Sequence, residues 1–586
     1  MKRNTLTTAV VAGLTGMAGM VSVSNAVNVS PDGTGQVLLY PYYSARGGND
    51  TLISIVNSTD RGKAVKIRFR EAVNSRDVLD FHIYMSAFDV WTAAVTATDD
   101  DGAKLVTNDT TCTVPYVFGD FDGEVDFRDF DYNVKEVKDG STVTTPGTID
   151  GGPTGIERTA SGYIEVIEMA TMQEHADRAD AEDKTGLVFN GVVKDKGKYV
   201  SWAAKHTEGV PNNCDALVNA WTDGLSASEP LAGEWLNNNA TTGFDSGPSG
   251  GLYGAASIIN VADGTMFSYN ATAIENFMSA NDKHGEPGGE FPNLRNAGDI
   301  SYSNVFYSEP SGTANTTFGE DGPETGDADN NPDVVNSYWT LKADEGALWT
   351  SADSGKFGDH LDSLLALNAA LTVESITNEF TTDPGAGART EWVVTMPTKK
   401  FHVDNGKSAL FTSKTPKAPF TSAWGAKTAS CDTMSLTYYG REEEQVAAGA
   451  KPPIFSPADP AEAEPSFKLC REANVIRFAS DDSYPDATEI LKEPKRSGPF
   501  GYRNVEVSQA EGWATLDMSG RTSVPADRVS PGPETNSDDQ KNVYKGLPVI
   551  GFAVSTYTNG NIGDGVLSNY GGTFAHRSTR KIVSSG

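Results

Sequence analysis

The chain has 586 residues and a formal net charge of −32, set by 79 acidic against 47 basic residues. So acidic a surface excludes a general nucleic-acid binder and simple adhesion to anionic lipid, both of which need clustered cations. The length leaves room for more than one hydrophobic core.

The chain opens with Met1-Lys2-Arg3, an apolar small-residue run from Ala9 to Val23, and Ser24-Asn25-Ala26. A basic start, an apolar centre and a small-x-small end predict a signal peptide over residues 1–26. Gly13, Gly16 and Gly19 break the run, and it is short for a bilayer, so a membrane anchor is the weaker reading. Losing Lys2 and Arg3 with this leader takes the net charge from −32 to −34. No later stretch is long and apolar enough to span a membrane as a helix. The C-terminal FAHRSTRKIVSSG ends without an aromatic residue, which disfavours an outer-membrane barrel.

Gly35 to Val95 carries the densest β signal. Gln36–Tyr40 is a short apolar run closed by Pro41, and Leu52–Asn57 follows the turn residues Gly47, Gly48, Asn49 and Asp50. Lys63–Arg70 alternates, with Val65, Ile67 and Phe69 on one face and Lys66, Arg68 and Arg70 on the other, which predicts a half-buried antiparallel strand. Val78–Met85 alternates again, placing His82 opposite Leu79, Phe81 and Ile83, toward solvent or a second layer. Strands this short, with no helix between them, predict a sandwich.

Asp99–Thr113 and Ser141–Thr159 read as loops around the acidic segment Gly119–Asp131. Gly162–Met169 reads as a strand, and Thr171–Asp183 and Asp215–Trp221 as short helices. Leu252–Ile274 returns to β. There Ser257–Asp263 repeats the S-I-[VI]-N-x-x-D pattern of Ser54–Asp60, a candidate internal repeat. Ser311–Pro332 reads as loop and His360–Leu371 as helix. Strands are expected around Glu391–Met396, Met434–Tyr438, Val475–Phe478, Val505–Val507, Trp513–Met518 and Leu547–Tyr557, the last closing a sheet. The Pro/Ala-rich stretch 441–465 reads as a linker or excursion.

Four cysteines, Cys112, Cys214, Cys431 and Cys470, predict two disulfides in an exported chain. Three connectivities are open, of which the pairing of sequence neighbours is the expectation. Their spacing excludes a zinc ribbon, a thioredoxin motif and c-type haem attachment. Gly247–Gly251 matches GxSxG, but a polar stretch precedes it and a strand follows, so it reads as a loop. The seven histidines form no HExxH, against a zinc hydrolase of the common kinds. Asp120, Asp122, Glu124, Asp126 and Asp129 are candidate calcium ligands, since calcium takes several carboxylate oxygens from one loop. The spacing is not that of an EF-hand, and a solvated acidic loop is the competing reading. Asp327–Asp333 is a second acidic run, with Pro332 where an EF-hand needs Gly. Trp202, Trp221 and Trp235 offer aromatic surface to carbohydrate, though core packing is the stronger expectation. Among 79 acids the sequence singles out no catalytic carboxylate pair.

The segments LLYPYY and GGNDTLISIVN, SGYIEVIEM, ASIINVADG, EWVVTMPTKKF, LPVIGF and LSNYGGTFAHR span the mature chain. With them the chain resembles a family of exported Gram-negative bacterial proteins described as cell-surface or hypothetical. The resemblance implies export and brings no catalytic residues.

The expected fold is mainly β, with one or two Ig-like sandwiches, helical insertions and long acidic loops. The expected divisions are 1–26, a sandwich domain at 27–250, a mixed region at 251–440, the linker at 441–465 and a β region at 466–586. The expected function is a secreted or cell-surface structural, adhesive or matrix protein without catalysis or cofactor, save a candidate calcium ion, and with cell-surface or matrix partners. The alternatives are an exported hydrolase acting on polysaccharide and a periplasmic or outer-membrane assembly component.

Overall fold

The computed structural model describes most of residues 28–275 and 367–585. Residues 1–27, 174–187, 278–366, 404–418, 448–466, 522–540 and some shorter segments lie outside it. The signal peptide, the Asp327–Asp333 run and most of the 441–465 stretch therefore fall outside the described residues. So does most of the His360–Leu371 helix, of which Leu367, Asn368, Ala370 and Leu371 are described, as helix.

The fold is mainly β and antiparallel. Its strands are β1 (Val37–Ser44), β2 (Asn49–Asn57), β3 (Lys63–Glu71), β4 (Asp77–Met85), β5 (Val90–Ala97) and β6 (Ala103–Val106). These are followed by β7 (Cys112–Val114), β8 (Glu124–Asp126), β9 (Ser161–Met172), β10 (Leu252–Asn260), β11 (Thr265–Asn270) and β12 (Thr272–Glu275). One sheet runs β12–β1–β9–β3–β4–β7, and the sheet facing it runs β11–β10–β2–β5–β6–β8. Leu38, Tyr40, Ile67, Phe69, Phe81 and Ile83 from the first meet Ile53, Ile55, Trp91, Val95 and Ile258 from the second.

Several expectations are corrected here. Pro41 does not end β1, which continues to Ser44. The register against β9 slips between Tyr40 and Tyr43, a bulge that accommodates a residue with no N–H to donate. Asp99–Thr113 is not all loop, because Ala103 and Leu105 are buried as β6. Thr171 and Met172 finish β9 rather than starting a helix. Nor does the chain divide at residue 250, because β10 pairs along its whole length with β2. In that pairing the candidate repeat has a local cause. Asn57 and Asn260 each end a strand and accept the amide of the following turn, from Thr59 and Asp263.

β3 is not half-buried. Lys66, Arg68 and Arg70 are as buried as Val65, Ile67 and Phe69. A second layer covers the Ala64 end of that face: α1 (Lys196–Ala204), capped by Asp195, and α2 (Cys214–Ala220), capped by Asn213. Trp221, Trp235 and Phe244 join these helices against Ala64, Tyr84, Met169 and Met172. His82 lies beneath them, 5.5 Å from the Trp221 ring. Two of these cations are paired in place, Lys66 with Asp80 and Arg70 with Asp77 at 2.8 Å. Burial alone would depress the Arg70 guanidinium, but Asp77 and Glu165 outweigh it and hold it above its ordinary value.

The second half contributes β13 (Ser375–Thr381), β14 (Ala388–Thr395), β15 (Asp432–Gly440), β16 (Gln445–Ala447), β17 (Phe467–Leu469) and β18 (Ala473–Ala479). It ends with β19 (Arg503–Glu506), β20 (Glu511–Asp517), β21 (Ile550–Asn561), β22 (Leu567–Ala575) and β23 (Arg577–Thr579). One sheet runs β16–β15–β20–β13–β23 with β17 on β15, and the other β19–β18–β14–β21–β22. Leu436, Leu516 and Phe380 meet Trp392, Val394 and Phe478 between them. β16 lies inside the stretch read as linker. β21 is interior to its sheet rather than closing it, with β22 at the edge. The other face of this sheet packs on the first sandwich, where Tyr269 stacks on Phe552 at 4.5 Å.

Candidate functional site

The chain leaves one sheet for the other between β22 and β23. Asn378 of β13 ties this corner. Its Nδ2 lies 3.2 Å from the Phe574 carbonyl, 3.3 Å from the Ala575 carbonyl and 3.2 Å from His576 Nδ1. His576 Nε2 donates to the Val393 carbonyl at 2.9 Å. Burial pushes the imidazole down to about 4, so it is neutral at neutral pH and accepts at Nδ1.

β23 pairs with β13 only over Ser375–Thr377, which leaves Asn378–Thr381 as a free edge. Opposite that edge, the inward side of β21 and β22 is left uncovered by the described residues. The result is an open groove of about 780 Å³. Trp513, Tyr557, Tyr570 and Phe574 line it at 41%, 42%, 61% and 53% exposure, although aromatic rings of this size mostly go into cores. Tyr557 and Tyr570 are direct cross-strand partners, and Phe574 follows on the same face of β22. Trp513 is held by Tyr439, its cross-strand partner, stacked at 4.2 Å. Gly512 in the groove wall has no room for a side chain, because a Cβ there would sit 2.1 Å from the Tyr439 carbonyl oxygen.

Four charged groups frame the groove. Arg441 is ion-paired with Glu511. Glu379 and Arg577 are exposed, and neither side chain bonds to a described residue. Glu379 lies opposite Trp513 and Glu511 opposite Thr381, so the two residues are diagonal neighbours on adjacent strands, their backbones about 7 Å apart.

The candidate calcium ligands are not brought together. Asp120 ends the helical turn Val117–Asp120, Asp122 and Asp129 lie in the adjoining loops, and Glu124 and Asp126 project from β8. Glu124 is paired with Lys104 at 2.6 Å. Partial burial, with the carboxylate of Asp215 nearby, pushes Asp120 up. Among the described residues no three His, Cys, Asp or Glu side chains form a metal-binding group.

The cysteines form Cys112–Cys214 and Cys431–Cys470, the pairing of sequence neighbours. Ser249 of the GxSxG match precedes β10 in a loop. Its amide and that of Gly250 donate to Glu168, which is ion-paired with Lys63 at 2.7 Å. The serine thus closes over a buried ion pair rather than heading a helix as a nucleophile elbow does. Ser86 and Asp89 both approach Nδ1 of His206, at 3.3 Å and 3.7 Å, whereas a relay needs them on opposite ring nitrogens. Trp221 and Trp235 are core, and Trp202 is packed against it.

Sequence reasoning missed the groove. Its signal was present in Glu511–Asp517, where Ala514 and Leu516 take the buried register and Trp513 shares the other face with Glu511, Thr515 and Asp517. A tryptophan in the polar register of a strand marks exposed aromatic surface. The facing tyrosines come from strands whose orientation depends on the whole sandwich. No protein-family model, no curated protein and no solved structure matches the chain.

Proposed function

We propose that the protein is an exported cell-surface or extracellular protein of structural or adhesive role, without catalytic activity, and that the groove is its contact surface. The observation that carries this reading is the exposed aromatic lining on a rigid corner, an arrangement that binds rather than reacts. Two disulfides support an oxidising location. Among the described residues no helix is long and apolar enough to cross a membrane. Immunogold labelling of intact cells tests the placement. Label on unbroken cells is the expected result, and label only after permeabilisation would favour the periplasmic assembly role.

A second reading, a hydrolase acting on polysaccharide, is favoured by one observation. Glu379 and Glu511 project from diagonal positions of adjacent strands into one groove, as a glycosidase pair must. Against it, Glu511 is engaged by Arg441, and no hydrophobic enclosure prepares either carboxyl as a general acid. Appearance of new reducing ends in a polysaccharide incubated with the protein, abolished by Glu379→Gln, would establish the hydrolase.

A further inference from the structure

We propose that the groove takes a strand of neutral polysaccharide, a ligand class that rests on reading the groove as the contact surface. Three features of the site count against an added peptide strand, a polyanion and a compact cation, and favour this ligand.

The free edge cannot accept a peptide strand. The outward backbone groups of β13 are already used. The Glu379 amide donates to Asn378 Oδ1 at 2.9 Å, and the Glu379 carbonyl receives Trp392 Nε1 at 3.4 Å. The Thr381 amide donates to Thr390 Oγ1, and its carbonyl receives the same hydroxyl, both at 3.0 Å. Strand addition works through such groups when they are open.

The charge of the lining is balanced, Glu379 and Glu511 against Arg441 and Arg577. A polyanion would gain no net attraction here and would approach a chain of net charge −32 against its field. The aromatics also form a strip rather than a cage. Tyr570 and Phe574 are four residues apart on one strand face, about 13 Å, which suits an elongated ligand better than a compact cation.

What remains is an elongated, uncharged ligand with apolar faces and polar rims. A pyranose chain has both. Its C–H faces lie on aromatic rings, and its hydroxyls meet donors and acceptors at the ring edges. Arg577 offers a donor fork and Glu379 an acceptor, neither committed to a described residue.

The test is affinity electrophoresis of the full mature chain through native gels cast with hydroxyethyl cellulose, galactomannan or alginate. We expect retardation in a neutral gel, weakened roughly tenfold by Tyr570→Ala and by Trp513→Ala. Tyr570 is largely exposed, so Tyr570→Ala is expected to melt as the parent does, which separates lost binding from lost folding. Retardation only in alginate, abolished by salt, would overturn the ligand class and leave the contact-surface reading in place. Neutral-gel retardation unchanged in both variants, or none in any gel, would overturn the proposal. Release of reducing ends in the gel would overturn the non-catalytic reading while upholding the ligand class.

Discussion

Glu71 is a heavily used carboxylate of the first sandwich. It accepts the amides of Val73, Asn74 and Arg76 at 2.6, 2.8 and 3.0 Å, and both arms of Arg158 at 2.8 and 2.9 Å. All these groups are buried, and Arg158 also lies 4.4 Å over the Tyr132 ring. Removing one partner of such a pair leaves an uncompensated charge, so Arg158→Met should cost about 3–5 kcal/mol by urea unfolding. Glu71→Leu should cost more, because it also orphans three amides. Equal losses would show that the turn does not depend on the carboxylate. His576 gives a pH effect of definite sign. Its folded value, about 4, lies below its unfolded 6.5, so the unfolded chain takes the proton first. Its contribution is present above pH 6.5 and is lost as pH falls toward 4. The fall of melting temperature across that window should be shallower in His576→Gln, and superimposed slopes would refute the assignment. At this scale the sequence shows which face of β3 a side chain takes, through the alternation of Val65, Ile67 and Phe69 with Lys66, Arg68 and Arg70. It does not show what meets the cationic face. Glu71 and Arg158 are 87 positions apart, and pairing over such a distance leaves no local pattern.

Among the elements, strands that alternate were legible and the layer above them was not. β3, β4, β9 and β15 lie where periodicity placed them, because each must turn one apolar row inward. α2 was legible too, but not its position over the charged face of the sheet. The Cys112–Cys214 bridge fixes that position, joining β7 at the sheet edge to the start of α2 across 102 residues. Without it the helical layer keeps its apolar contacts with Tyr84 and Met169 and hydrogen bonds such as that from Trp221 Nε1 to the Tyr84 hydroxyl at 2.8 Å. Replacing both cysteines by alanine should cost about 2–5 kcal/mol. The loss should be local first, with faster hydrogen exchange over Lys196–Ala220 and little change in β1. Uniformly faster exchange would mean that the layer and the sheets open as one unit.

For the whole molecule, the joint between the sandwiches was the least legible feature, because beside its apolar contacts it buries charged residues that read as surface. Tyr42 donates to Glu493 at 2.8 Å, Glu493 pairs with Arg471 at 2.5 Å, and the Glu472 amide donates to the Ala72 and Val73 carbonyls at 3.1 and 3.2 Å. Composition and periodicity assign such residues to solvent unless the covering domain is known. Glu472 makes this joint sensitive to pH. It is buried, one carboxyl oxygen has no hydrogen-bond partner among the described residues, and the other accepts the Lys400 amide at 3.2 Å. Burial pushes its carboxyl up to about 8, with the charge of Glu71 adding to the rise and the Lys399 ammonium opposing it. The folded state therefore holds a proton that the unfolded chain releases near 4.5. The stability from this group is full below pH 4.5 and is lost as pH rises through about 8. Glu391, buried and pushed up to about 7, adds a loss of the same sign. The melting temperature should thus fall as the pH is raised from near neutrality past about 8. Glu472→Gln keeps the shape and the neutral state at every pH, so its alkaline fall should be shallower, with the share due to Glu391 remaining. Alkaline limbs that superimpose in calorimetry would show Glu472 ionised throughout and the joint held by charge rather than by a buried acid.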